Sequence, residues 1–110
     1  MANPSKAKGS RFERLIADYL SETFPCERIP AGATVDRGDL WTPTGVTLQL
    51  KDHARLAMGP AWAATLDQQA NNGHDLSFLV HKRHGKGAPG DQWVTCDVTQ
   101  LRRLLAERVR

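Results

Sequence analysis

The stretch RGDLWTPTGVTLQLKD, residues 37 to 52, sets one acidic residue ahead of a Pro-Thr-Gly turn and ends an apolar alternation with Gln49 and Lys51. Val46, Leu48 and Leu50 alternate with Thr47, Gln49 and Lys51, and the two-residue period of a strand sends each set to its own face. Gln49 and Lys51 therefore project side by side, a short turn and strand after Asp39. A carboxylate that holds a divalent cation, with a basic group beside the attacking water, is the equipment for phosphodiester hydrolysis. The ion lowers the pKa of water and neutralises charge on the phosphate. In such chemistry Asp39 supplies the carboxylate and the Gln49 amide orients a ligand or water. Lys51 stabilises hydroxide or the pentavalent phosphorane.

The elements that must hold these groups are legible in the hydrophobic spacing. Phe12, Leu15, Ile16, Tyr19 and Leu20 recur at helical intervals after Ser10, which predicts an amphipathic helix over residues 11 to 23, ended by Phe24-Pro25. A short strand is expected within residues 27 to 33, another around residues 39 to 41, and a clearer one over residues 46 to 51. Gly59-Pro60 opens a helix that closes at Gly73, with Trp62 and Leu66 packing inward and Gln68 and Gln69 on an exposed face. Residues 76 to 82 read as a buried strand, followed by a mobile Gly-rich loop and a strand at residues 92 to 96. Asp97 and Thr99 can cap a last helix whose Leu101, Leu104, Leu105 and Val109 form one stripe. The order α-β-β-β-α-β-β-α predicts an α/β domain, a central mixed β-sheet flanked by helices. No G-x-G-x-x-G opens a helix after a strand, so a dinucleotide-binding unit is excluded.

Gly38-Asp39-Leu40 and Gln49-Leu50-Lys51 resemble the signature of the PD-(D/E)xK nuclease superfamily, an acidic residue before a turn and a second strand ending in acid-x-Lys. KGSRFERLIADYL, residues 8 to 20, is similar to the first helix of its Holliday-junction-resolvase-like branch, where a Gly-Ser/Thr…Phe-Glu-Arg opening precedes the motif. The likeness runs from about Lys8 to Trp93 and takes in DQQA and LSFLVHKR. It implies a restriction-endonuclease-like core and a Mg²⁺-dependent endodeoxyribonuclease, Mn²⁺ able to substitute, that acts on four-way DNA junctions in recombination. Symmetric cutting needs two active sites, so it also implies a homodimer with C2 symmetry. The roles carried over are Glu13 and Asp39 as metal ligands together with the Leu50 backbone carbonyl, Gln49 as ligand or positioner of water, and Lys51 beside the nucleophile. Ser10, Gln68 and Gln69 are accessory positions. Gln49 departs from the acid most members carry, and a neutral amide weakens hard-cation binding. Asp36 and Asp52 are the carboxylates near enough in sequence to offset it, although strand alternation turns Asp52 to the opposite face. Two other functions fit the same residues: a catalytically inactive nucleic-acid-binding module of this fold, and a restriction-type or nicking nuclease on duplex DNA.

Each residue also has a plain structural role open to it. Ser10 and Glu13 have capping-box spacing, Asp39 after Gly38 is a turn former, and Lys51 suits a solvated strand-edge charge. His81 and His84 share HxxH spacing but lack acidic or thiol neighbours for zinc, so HKRHGK is either a phosphate-contacting loop or a solvated one. Trp41, Trp62 and Trp93 are of the type that stacks on unpaired bases, with core packing the expected role of Trp62 and Trp93.

A chain of 110 residues is enough for one core, and a single nuclease-like domain is expected over residues 1 to 110, with residues 1 to 9 a flexible basic tail. Hydrophobic residues at 40% and charged residues at 25% exclude a disordered chain. No apolar run approaches the roughly 18 residues of a spanning helix, and no signal-peptide core follows the polar N-terminus. Cys26 and Cys96 lack zinc or disulfide spacing. These features point to a cytoplasmic protein with free thiols and no membrane partner. Lys and Arg number 15 against 12 Asp and Glu. Their clusters, Lys6, Lys8 and Arg11, then Arg37, then Lys82, Arg83 and Lys86, are the expected contacts to DNA.

Overall fold

The computed structural model describes residues 4–29 and 38–109, with side chains from Ala7 onward. Asp36, Arg37, residues 30 to 33 of the expected first strand and the Lys6 side chain therefore lie outside the described residues. The first helix, α1, is Pro4–Leu20. It starts well before the expected boundary and takes in residues 4 to 9 of the basic tail, because proline suits the first helical turn and Ala and Lys favour helix. Ser10 consequently sits inside α1, away from its N-terminus, and the capping-box role for Ser10 and Glu13 does not hold.

The strands β1 (Glu27–Arg28), β2 (Leu40–Trp41), β3 (Val46–Lys51), β4 (Leu76–His81) and β5 (Trp93–Thr95) form one five-stranded sheet in the order β1-β2-β3-β4-β5. Only β3 and β4 run parallel, in the register Val46↔Leu76 to Lys51↔His81. A parallel pair needs a crossover, supplied here by helix α2 (Met58–Asn72). The last helix, α3, is Val98–Arg108. The architecture is the expected one, a mixed sheet flanked by helices in the order read from the spacing.

The two faces of the sheet differ in chemistry. On the α1 side Phe12, Ile16, Leu40, Leu48, Leu50 and Val80 make the apolar core. On the α2 side the layer mixes the buried Leu79 and Ala61 with polar groups: Asn72 Nδ2 donates to Thr47 Oγ1 at 2.8 Å, and Ser77 Oγ donates to Gln69 Oε1 at 2.6 Å. Gln69 and Gln68 are 8% and 2% exposed, so they do not form the open helix face expected of them. A helix face set against Thr47 and Ser77 is buried whatever its polarity, and its amides then need partners.

Gln100 shows the same logic at an edge. Strand β5 pairs with β4 only from Leu79 to His81, and Gln100 Oε1 accepts the Ser77 N–H at 3.2 Å where β5 has ended. Asp97 caps α3 by accepting the Gln100 N–H at 2.9 Å, which fixes the residue that closes this edge. The stripe Leu101, Leu104, Leu105 and Val109 stays largely in solvent, because α3 meets the sheet edge through Gln100.

The loop after β4 is braced. The buried Gln92 accepts the Arg83 N–H at 2.6 Å and donates to Lys86 O and Ala88 O at 2.9 and 2.8 Å. Cys26 and Cys96 are free thiols, and burial pushes both above the usual thiol range. No helix among the described residues is long and apolar enough to cross a membrane.

Candidate active site

A cleft of about 450 Å³ opens at the carboxyl end of β3, with walls from α1, β3 and the segment that follows it. In open α/β sheets this is where ligands bind, because strand ends present backbone and side chains without blocking approach. Asp39, Gln49, Leu50 and Lys51 all line it, together with Glu13.

Asp39 is positioned by a glycine. Gly38 has φ of 94°, and a Cβ there would sit 2.9 Å from Leu48 O, so a side chain is excluded by both conformation and space. That close approach lets the Asp39 N–H donate to Leu48 O at 3.0 Å, while Asp39 Oδ2 accepts the Leu50 N–H at 2.8 Å. The carboxylate thus continues the β2–β3 ladder past the end of β2. The N–H and C=O of a strand residue point to the same edge, so the Leu50 carbonyl is directed to the side where Asp39 stands.

Gln49 is only 6% exposed, and its Oε1 has no hydrogen-bond partner among the described residues. A buried acceptor left unpaired costs about 1–3 kcal/mol. Buried polar groups are as a rule paired, so such an acceptor calls for an explanation, a functional role or a bound water or ion being the usual ones. Lys51, two residues on and half-buried, shares its face and lines the same cleft.

Glu13 reaches the cleft but is engaged: Arg28 donates to its Oε2 from Nη2 at 3.0 Å and from Nε at 3.2 Å. Asp52, expected on the opposite face, lines the same cleft, with Lys8 Nζ 3.5 Å from its Oδ1. Its alternation still holds, since Lys8 belongs to α1 and Leu50 shares the α1 side. Past the last strand residue the cleft simply opens to both faces. The side chain of Asp52 is 8% exposed.

Among the described residues no three His, Cys, Asp or Glu side chains gather closely enough to hold a metal ion by themselves. The donors present are of another kind: the Asp39 carboxylate, the Gln49 amide oxygen and the Leu50 carbonyl. Oxygens of this kind are the ligands a hard divalent cation takes, and Gln49 Oε1 is left unpartnered among the described residues.

Of the accessory positions, neither Ser10 nor Gln69 lines the cleft. Gln68 packs behind it, its Oε1 3.4 Å from where a Gly38 Cβ would be. Lys8 belongs to the cleft wall and Arg11 is exposed on α1. Lys82 and Arg83 line a second cavity of about 360 Å³, and Lys86 stands in the braced loop. Arg28, His53 and Arg55 escaped the sequence reading. Nothing local signals that Arg28 will meet Glu13 across a helix and a strand, whereas His53 and Arg55 follow Lys51 so closely that the strand end itself was the available signal.

No protein-family model matches the chain, and comparison with curated proteins and with solved structures likewise finds no match.

Proposed function

We propose that the domain is a Mg²⁺-dependent endodeoxyribonuclease with a restriction-endonuclease-like core, acting on branched DNA of the four-way-junction type. The observation that carries this reading is the buried, unpartnered Gln49 Oε1 in one cleft with Asp39 and Lys51. The α-β-β-β-α-β-β-α order around a mixed sheet supports the core.

Asp39, Gln49 and the Leu50 carbonyl would hold Mg²⁺, or Mn²⁺ in its place. When bound, the ion supplies a water of lowered pKa and offsets charge on the scissile phosphate. The chain's own groups do the remainder. Lys51 stabilises the hydroxide and the charge that builds on the phosphorane. Lys8, His53 and Arg55 line the cleft with groups that attract a polyanion. Glu13 would be a further ligand only if freed from Arg28, and Asp52 adds a carboxylate to the cleft that Lys8 partly offsets. Paired cuts in a junction require two such clefts, hence a homodimer, for which the exposed leucines of α3 offer a face.

The hold of Arg28 on Glu13 favours a second reading, a nucleic-acid-binding module of the same fold that does not cut. Junction cutting by wild type separates the two, and Lys51→Ala then tests the mechanism. Cutting of a labelled junction should fall by about 10²-fold or more, while gel-shift affinity for the junction stays within a few-fold. A variant that cuts like wild type would remove Lys51 from the mechanism.

A further inference from the structure

Trp93 does not join the core. It is 58% exposed, on the edge strand β5. The Arg83 guanidinium lies over its ring at 4.4 Å from the centroid, and His81 meets it edge-on at 6.4 Å. A large aromatic left in water gains nothing from burial, and here it is held in place all the same. Arg83 is fixed through its backbone N–H to Gln92 Oε1 and through Nη1 to Asp91 O at 3.2 Å, and His81 Nε2 pairs with Thr95 Oγ1 at 2.8 Å. The indole is a rigid surface presented to solvent.

Its surroundings carry one sign of charge. The cavity beside it is lined by His53, His81, Lys82, Arg83, His84 and Trp93, and no carboxylate is among the lining residues. Burial pushes the His81 imidazole below its ordinary pKa, and Lys82 and Arg83 bring positive charge to the lining.

The position is set by strand register. Lys51 pairs with His81, and His81 pairs with Trp93. Cross-strand partners share a face, so the three residues form a row across the end of the sheet. Two strand spacings of about 4.8 Å separate the ends of the row, about 10 Å in all. His53 and Ala54 line both cavities, which makes the candidate cleft and the Trp93 cavity neighbours along one wall.

We propose that the Trp93–Arg83 pair is a stacking platform for an unpaired base of a single DNA strand, whose phosphates run past Lys82 and Arg83 toward Lys51. Aromatic rings and guanidinium planes both stack on bases, and do so without regard to sequence. A duplex cannot use the platform without opening, so the domain engages DNA where strands part. The direction of the strand toward Lys51 rests on the nuclease reading, but the platform does not.

The test is binding of fluorescein-labelled oligo(dT), with a closed hairpin duplex as control, in EDTA so that no cutting intervenes. Fluorescence anisotropy is read for wild type, Trp93→Ala and Trp93→Phe. Trp93→Ala should weaken oligo(dT) binding about tenfold and leave hairpin binding within twofold, whereas Trp93→Phe should keep most of the affinity. Trp93 is exposed, so its variants should retain the wild-type thermal melt, which circular dichroism checks. Oligo(dT) affinity that is unchanged in Trp93→Ala, or absent in wild type, would overturn the platform. Junction cutting by wild type in Mg²⁺ is read separately, so Trp93-dependent oligo(dT) binding beside a wild type that does not cut would sink the nuclease reading and leave the platform standing.

Discussion

Gln49 is where stability and chemistry pull apart most sharply. Among the described residues its buried Oε1 meets no donor, and an acceptor left so costs about 1–3 kcal/mol. Gln49→Met removes the acceptor at similar volume, so thermal melting in EDTA should shift upward while divalent-ion binding, followed by Mn²⁺ titration in electron paramagnetic resonance, is lost. Gln49→Glu should do the reverse: a second carboxylate near Asp39 lowers the melting temperature in EDTA, and Mg²⁺ restores it by binding the folded state alone. A Gln49→Met protein that melts lower than wild type would show that the amide is a structural hydrogen-bonding group. The adjacency of Gln49 and Lys51 was legible from alternation because a period of two is a local property of the chain. The engagement of Glu13 by Arg28 was not, since it depends on how far α1 lies from β1, and that distance is set by core residues far away in sequence. Trp93 was misread for a related reason. Aromatic residues usually pack inward, and only the pairing of β5 at the sheet edge tells that this one does not.

The strands and helices themselves were read with few errors, and those errors have physical causes. The extent of helix α2 and its closing Gly73 came out as expected because Pro60 and a glycine with positive φ punctuate the chain unambiguously, but the face turned inward is Ala61, Thr65, Gln68 and Gln69, and Leu66, expected to pack, is exposed. The start of α1 was placed too late, since Ser10 mimics a cap and the preceding Lys and Ala residues carry no apolar periodicity to reveal a helix. The burial of Gln68 and Gln69 was hidden because hydrophobic pattern finds apolar interfaces, and much of the interface between α2 and the sheet is polar. Helix α3 offers a direct check on how that polar layer is held. Asp97 caps it, and the cap fixes Gln100 against the open edge of β4. Asp97→Ala should cost about 1 kcal/mol in urea unfolding and lower the melting temperature by roughly 4 °C. Melting within a degree of wild type would mean that the Gln100 contacts, rather than the cap, hold α3 in place.

Across the whole molecule, the sheet divides an apolar side that supplies cohesion from a polar side that supplies groups for chemistry, and both meet at the carboxyl end of β3. Core residues Phe12 and Leu50 line the cleft, Gly38 lets Asp39 into it, and the pairing of β4 with β3 and with β5 lines up Lys51, His81 and Trp93. Basic residues border this end, in keeping with a polyanionic partner. The direct measurement is cleavage of a labelled four-way junction, with linear duplex and single strand beside it, in Mg²⁺, Mn²⁺ and EDTA, for wild type and Asp39→Asn. Paired cuts in the junction that need the metal and vanish in Asp39→Asn are the expected result. Tight binding of the junction by wild type with no cut under either metal would contradict a nuclease and leave a domain that binds DNA without cleaving it.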